Sequence, residues 1–91
     1  MNNSRFYLNP IDGHKSFYNK CYIEGTDDIT GNGIICYSYN TPVARFKMGK
    51  FSRLWSGYSA TTMRHVNAFA AFCGMNEGGK KWWDSLPVEH F

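Results

Sequence analysis

Only one stretch of this chain carries a helical period with both ends marked. Ser59 is a natural N-cap, and Thr62 stands at the third helical position. Met63, Val66, Phe69, Ala70 and Cys73 then recur at helical spacing until Gly74 supplies the stop. Everything before it is short, alternating and broken by turn residues. Ser16–Glu24 alternates aromatic and β-branched residues, with Phe17, Asn19, Cys21 and Ile23 on one face, and reads as a strand. A glycine-punctuated loop over 25–33 leads to a second strand, Ile34–Tyr39, ended or bent at Pro42, where the missing N–H marks a strand end, an edge or a bulge. Extended runs over 43–48 and 51–56 flank a tight turn at Gly49. Turn signals at Asn9-Pro10 and Asp12-Gly13 mark the first fifteen residues. Residues 80–85 read as a further helical turn or an extended segment, and Pro87 forbids its continuation. The expected fold is α+β: a small antiparallel sheet of three to four strands with one main helix, about 60–73, packed on a face.

Ninety-one residues make one domain, 1–91. With 43% hydrophobic and 19% charged residues the chain forms a core, and sixteen aromatic side chains help so small a core reach stability. No apolar run approaches the ~20 residues that span a membrane, and the opening MNNSRFYLNP has no signal-like apolar region. A cytoplasmic protein with no membrane partner is therefore expected. Cys21, Cys36 and Cys73 are odd in number and lack metal-finger spacing, so they read as reduced, mostly buried thiols, with no metal and no cofactor implied.

Charge is distributed unevenly. Between Asp28 and Glu77 there is no acidic residue, while Arg45, Lys47, Lys50, Arg53 and Arg64 all fall inside. This favours an anionic partner for the middle of the chain, against the plainer reading of a solvated basic face. Alternation places Val43, Arg45 and Lys47 on one face of their strand, and Phe51, Arg53 and Trp55 on one face of the next. A surface mixing cations with rings is expected there, suited to a protein partner or to single-stranded nucleic acid through Arg45, Lys47, Lys50, Arg53 and Trp55.

Two further clusters stand out. Ser59, Thr62, Arg64 and His65 gather at the helix start, where they form either an anion site or simply a cap with a hydrogen-bonded histidine. His65 has no nucleophile elbow, metal-ligand spacing or paired carboxylates around it in the sequence, so no catalytic role and no enzyme is expected. The Gly-Asn-Gly at 31–33 and Gly78-Gly79-Lys80 lack the phosphate-loop spacing. In Lys81-Trp82-Trp83, two adjacent tryptophans are hard to bury together. One of them is either a contact for a partner protein or the lid on an open sheet side.

The segments SYNTPVA (38–44) and YSATTMRHVNAF (58–69), with Trp55 between them, together resemble the hallmark of small uncharacterised proteins of phages and mobile elements of Gram-positive bacteria. Tyr39, Thr41, Val43, Ala44, Tyr58, Ser59, Thr61, Thr62, Arg64 and His65 carry the resemblance, which covers about a third of the chain. It implies a ββα core and no activity of its own. By analogy it points to a non-enzymatic accessory protein, anti-CRISPR-like, that inhibits a bacterial defence system by binding an effector protein or its ligand, nucleic acid or nucleotide. A small basic single-stranded nucleic-acid-binding module in phage regulation is the alternative. A homodimer is compatible with either, because small sheets with open edges pair.

Overall fold

The computed structural model describes residues 5–11, 13, 16–25, 33–76 and 78–89. Five strands form one antiparallel sheet in sequence order: β1 (Arg5–Tyr7), β2 (Cys21–Gly25), β3 (Ile34–Ser38), β4 (Thr41–Lys47) and β5 (Lys50–Arg53). Helix α1 (Ala60–Phe72) and the short helix α2 (Gly79–Ser85) follow. The expected α+β class holds, but there are five strands where three to four were expected, and two helices where one was.

Each difference has a local cause. β1 is three residues long and wholly exposed, too short for alternation to register. The run over 80–85 closes as a helix, since Trp82 and Trp83 gain packing partners that no local pattern reveals. The strand expected over 16–24 starts only at Cys21, because Tyr18 and Asn19 take left-handed conformations (φ 51° and 61°) and form a turn. Most of the loop expected over 25–33 lies outside the described residues.

Cross-strand pairs share a face, so the register sorts every side chain. Ile23, Cys36, Ala44 and Arg53 form one row, and Ile34, Phe46 and Phe51 another, both under the helices. Tyr22 opposite Tyr37, Arg45 opposite Ser52 and Lys47 opposite Lys50 lie on the open face. Tyr37 pairs with Pro42 and Cys36 with Ala44, which leaves Val43 as the extra residue of a bulge beside the proline. The bulge turns Val43 into the core, where it is 1% exposed.

α1 is bounded as its local signals require. Ser59 is extended, and its Oγ accepts from the Thr62 N–H at 3.0 Å. At the other end Gly74, at φ 81°, closes a double-bonded C-cap: its N–H donates to Ala71 O and that of Met75 to Ala70 O. Met63, Val66, Phe69 and Ala70 are buried, and the Phe69 ring meets Phe51 at 5.6 Å. Cys21 and Cys36 are fully buried and Cys73 partly so, all three as free thiols. The Cys21 thiol as hydrogen-bond partner, with burial added, pushes the Cys36 thiol well above its ordinary pKa, so it stays protonated.

Candidate functional site

Two Tyr-Asn turns build one end of the sheet. In the first, the Lys20 N–H donates to Phe17 O at 2.9 Å around Tyr18 and Asn19. In the second, Tyr39 and Asn40 (φ 51° and 67°) form the two-residue connection from β3 to β4. Because Cys21 pairs with Ser38, the two turns lie side by side, and the Tyr39 N–H donates to Lys20 O at 2.9 Å. Asparagine tolerates left-handed backbone, but a tyrosine held there costs roughly 1–3 kcal/mol. Both strained tyrosines keep their side chains in solvent, Tyr18 at 67% and Tyr39 at 55% exposure. Strain spent on exposed rings is a feature of functional surfaces rather than of cores.

Behind Tyr39 lies a buried polar network. Ser38 Oγ is 2.7 Å from His65 Nδ1 and 3.3 Å from Thr62 Oγ1. Phe17 packs edge-on against the imidazole at 4.5 Å, and Tyr39 covers it at 5.6 Å. Burial, helped by the neighbouring Arg64 charge, lowers the His65 pKa to about 4, so the ring is neutral near pH 7. A serine hydroxyl at this distance from an imidazole is the arrangement of a nucleophile and its base. Such a low pKa, however, leaves His65 a weak base compared with the near-neutral value that suits proton abstraction. No carboxylate among the described residues orients the ring. The network's evident work is to tie β3 to α1.

Two hollows of about 290 Å³ each open on either side of Tyr39. Tyr39, Thr41, Val43, Tyr58, Ser59 and Thr62 line the first, with Ser38 and Trp55. Thr61, Arg64 and His65 line the second, with Tyr39 again and with Phe17, Tyr18, Lys20 and Ser16 from the first turn. Of the ten positions that carry the resemblance in sequence, nine therefore line one hollow or the other, and the tenth, Ala44, is in the core. Trp55 is set by Gly57, where any Cβ would stand 2.5 Å from the indole Cζ2. Among the described residues, no aspartate or glutamate lines either hollow.

The sequence model of a family of unknown function, DUF8033, matches residues 6–85. The chain belongs to that family. Among curated proteins and among solved structures nothing matches it. The DUF8033 match covers β1 from Phe6, the other four strands and both helices, well beyond the two segments that carry the resemblance in sequence.

The other expected site residues of this DUF8033 chain are dispersed. Arg45, Lys47 and Lys50 reach the open face, as their register demands. Arg53 does not join them. It points under the helices, is 6% exposed, and donates to Trp55 O (2.8 Å), Trp83 O (2.8 Å), Ser56 O (2.9 Å) and Gly57 O (3.3 Å). Its guanidinium also lies 4.5 Å from the centre of the Trp83 ring. The expected single face of Arg45, Lys47, Arg53 and Trp55 is thus corrected, because pairing with Ala44 sends Arg53 to the opposite side from Arg45.

The tryptophan pair divides its work. Trp83 is fully buried and donates from its indole to Gly57 O at 3.0 Å, while Trp82 is half-buried and packs on Phe51 at 5.1 Å. Both close the helix-covered side of the sheet, and only Lys81 of that trio is exposed. On the open face, Tyr22 is sandwiched between Tyr37, stacked at 5.1 Å and 12°, and the Arg5 guanidinium at 4.2 Å. Arg5 pairs with Glu24 at 3.1 Å, and the Glu89 carboxylate sits 3.3 Å from Lys50 and 3.9 Å from Arg45.

Sequence reasoning missed Tyr18, Lys20, Ser38 and Tyr39 as site residues. The signal that could have found the turns is the repeated Tyr-Asn dipeptide, each standing just ahead of a strand, Cys21 of β2 one residue beyond Lys20 and Thr41 of β4 at once. Among the described residues, no three His, Cys, Asp or Glu side chains gather as a metal ligand set, and no helix is long and apolar enough to cross a membrane.

Proposed function

We propose that this protein is a non-enzymatic binding module whose working surface is the groove around Tyr39. On this reading it serves a phage or mobile element inside the bacterial host by inhibiting a defence system, through capture of an effector protein or of that effector's ligand. The convergence of nine resemblance positions on two adjoining hollows carries the proposal. Val43, Thr62 and His65 are buried and border the hollows from within the core, while Tyr39, Thr41, Tyr58, Ser59, Thr61 and Arg64 reach solvent there. The exposed left-handed tyrosines and a lining with no acid among the described residues add to it, and the weak basicity of His65 weighs against acid–base chemistry. The phage setting and the defence target rest on the resemblance of the SYNTPVA and YSATTMRH segments.

Tyr39→Gly is the incisive variant, because glycine accepts the left-handed backbone while removing the ring. Wild type and variant would be expressed in a panel of bacterial strains, each carrying one defence system, and challenged with phage. Wild type should restore plaques on at least one strain, and Tyr39→Gly should lose that effect without a fall in melting temperature. Equal restoration by both proteins would sink the reading.

A further inference from the structure

We infer that the hollow lined by Tyr39, Trp55 and Tyr58 is a docking site for a proline-bearing extended segment of a partner protein. The inference rests on the groove being the working surface and names the chemistry of what it grips. Three observations lead there.

The first is ring surface set in place ahead of any ligand. Tyr39, Trp55 and Tyr58 line the hollow together with Val43. Gly57 lies so close to the indole that a Cβ there would stand 2.5 Å from Cζ2, so the Trp55 ring packs directly on backbone. Arg53 holds the same loop from the buried side, through Trp55 O, Ser56 O and Gly57 O. Grooves lined by aromatic rings suit polyproline segments, whose preformed extended helix loses little entropy on docking.

The second is an excess of hydrogen-bond donors over acceptors. The three carbonyls of the 55–57 wall are turned inward: Trp55 O and Ser56 O accept from the Arg53 guanidinium, and Gly57 O from that group and the Trp83 indole. Ser38 Oγ is engaged with Thr62 Oγ1 and His65, and Ser59 Oγ accepts from the Thr62 N–H. Among the described residues nothing pairs with the hydroxyls of Tyr39, Thr41 and Tyr58 or with the Trp55 indole N–H. An indole N–H only donates, and a hydroxyl donates as well as accepts. The chain that matches this wall offers carbonyls and leaves few N–H groups stranded, and proline has no N–H at all. A nucleobase or an ordinary peptide brings donors too, for which the wall has turned its carbonyls away.

The third is neutrality. Among the described residues no charged side chain lines this hollow, so a phosphate or an acidic peptide finds no counter-charge in it. At about 290 Å³ it takes a short length of extended chain and not a helix, which with its side chains is ~10–12 Å across.

Calorimetric titration of the whole protein with end-blocked decaproline tests the inference, beside an end-blocked glycine–serine peptide of equal length and the nucleosides adenosine and guanosine. Decaproline should bind with Kd below about 1 mM, and the other three at least about tenfold more weakly. Its affinity should change by less than about twofold between ~0.05 M and ~0.5 M salt, since no charge takes part. Tyr58→Ala and Tyr39→Gly should each weaken it by about tenfold. Tyr58→Phe keeps the ring and loses the donor, and should weaken it by about threefold, so the contact is read even if Tyr58→Ala fails to fold. Any one of four results overturns the inference: no decaproline binding, a glycine–serine peptide or nucleoside bound as tightly, an affinity that falls steeply with salt, or wild-type affinity in the Tyr58 variants. If Tyr39→Gly loses phage protection but decaproline does not bind, the groove reading survives and the proline segment does not. If decaproline binds as expected but Tyr39→Gly still protects, the site stands and the proposed function falls.

Discussion

Cations meet aromatic rings in two places on this molecule, and the two are finished differently. On the open sheet face the rings and charges satisfy one another: Arg5 lies over Tyr22, Tyr22 stacks on Tyr37, and Glu24 and Glu89 sit against Arg5, Lys50 and Arg45. In the groove, Trp55, Tyr58 and Tyr39 line one hollow while Lys20 and Arg64 line the next, and among the described residues no carboxylate lines either hollow. Composition cannot separate these cases. A basic-aromatic run becomes a binding surface only where its rings keep a face and its charges keep their field.

The sharpest way to break this contrast is through Arg53, which belongs to neither surface despite its place in the basic run. Replacing it with methionine keeps much of its volume but takes the guanidinium from four carbonyls, of which Trp55 O and Ser56 O lose the donor described for them, while Gly57 O keeps the Trp83 indole and Trp83 O the Leu86 N–H. Unfolding by urea should show a loss of roughly 3 kcal/mol or more, since hydrogen bonds to a charged group are worth about 1.5–3 kcal/mol each. If the variant kept wild-type stability, Arg53 would have to be counted among the surface cations after all. Tests of nucleic-acid binding on the open face therefore belong at Lys47 and Lys50, because Arg53→Glu would unfold the protein first.

The next largest effect concerns the imidazole behind the groove. His65 has its folded pKa lowered to about 4 from an ordinary 6.5, so the unfolded chain binds the proton more readily between those values. The stability that comes from keeping the ring neutral is thus complete above pH 6.5 and lost as pH falls towards 4. Between pH 7 and pH 5, above most carboxylate titration, the loss should be about 2 kcal/mol. Urea midpoints across that range should fall for wild type and stay nearly level for His65→Gln. Parallel behaviour of the two proteins would mean that His65 titrates as an exposed residue and that the Ser38 network does not bury it.

Ser59→Ala removes the cap at the groove's floor and should cost ~1 kcal/mol, read as a lower thermal midpoint. A neutral result would show that another group caps Thr62. Smallest of all is the open face. Lys50→Ala should change stability by no more than about 0.5 kcal/mol, because Lys50 is largely exposed and its pair with Glu89 is screened by solvent. A larger loss would make that face a structural charge network and weaken the contrast drawn here.

How much of this was legible depends on the range of the interactions involved. α1 could be placed almost to the residue, because Ser59 and Gly74 act through bonds within one turn of themselves. Pro42 marked a strand end, an edge or a bulge for the same reason, since a missing N–H is a property of the residue itself, and the structure has the bulge. β1 could not be seen, as three exposed residues have no period, and it exists only because β2 offers an edge. Of the candidate site, Ser59, Thr62, Arg64 and His65 were legible as a cluster along one helix. The other wall needed the Cys21–Ser38 register, which sets two turns twenty-one residues apart side by side.

By itself, then, the sequence determined an α+β chain, a capped helix expected over about 60–73 and found over 60–72, mostly buried free thiols and an acid-free middle. All of these follow from local conformational preference, hydrophobic content or simple counting. The fates of Arg45 and Arg53 were decided only by tertiary structure. They stand eight residues apart in the same basic run, yet one lies on the open face and the other inside. The reason is geometric: each residue of shift in pairing exchanges the two faces of a strand, and pairing is a contact between distant segments. The same long-range register brings Lys20 beside Tyr39 and gathers Trp55, Tyr58 and the helix hydroxyls into one groove.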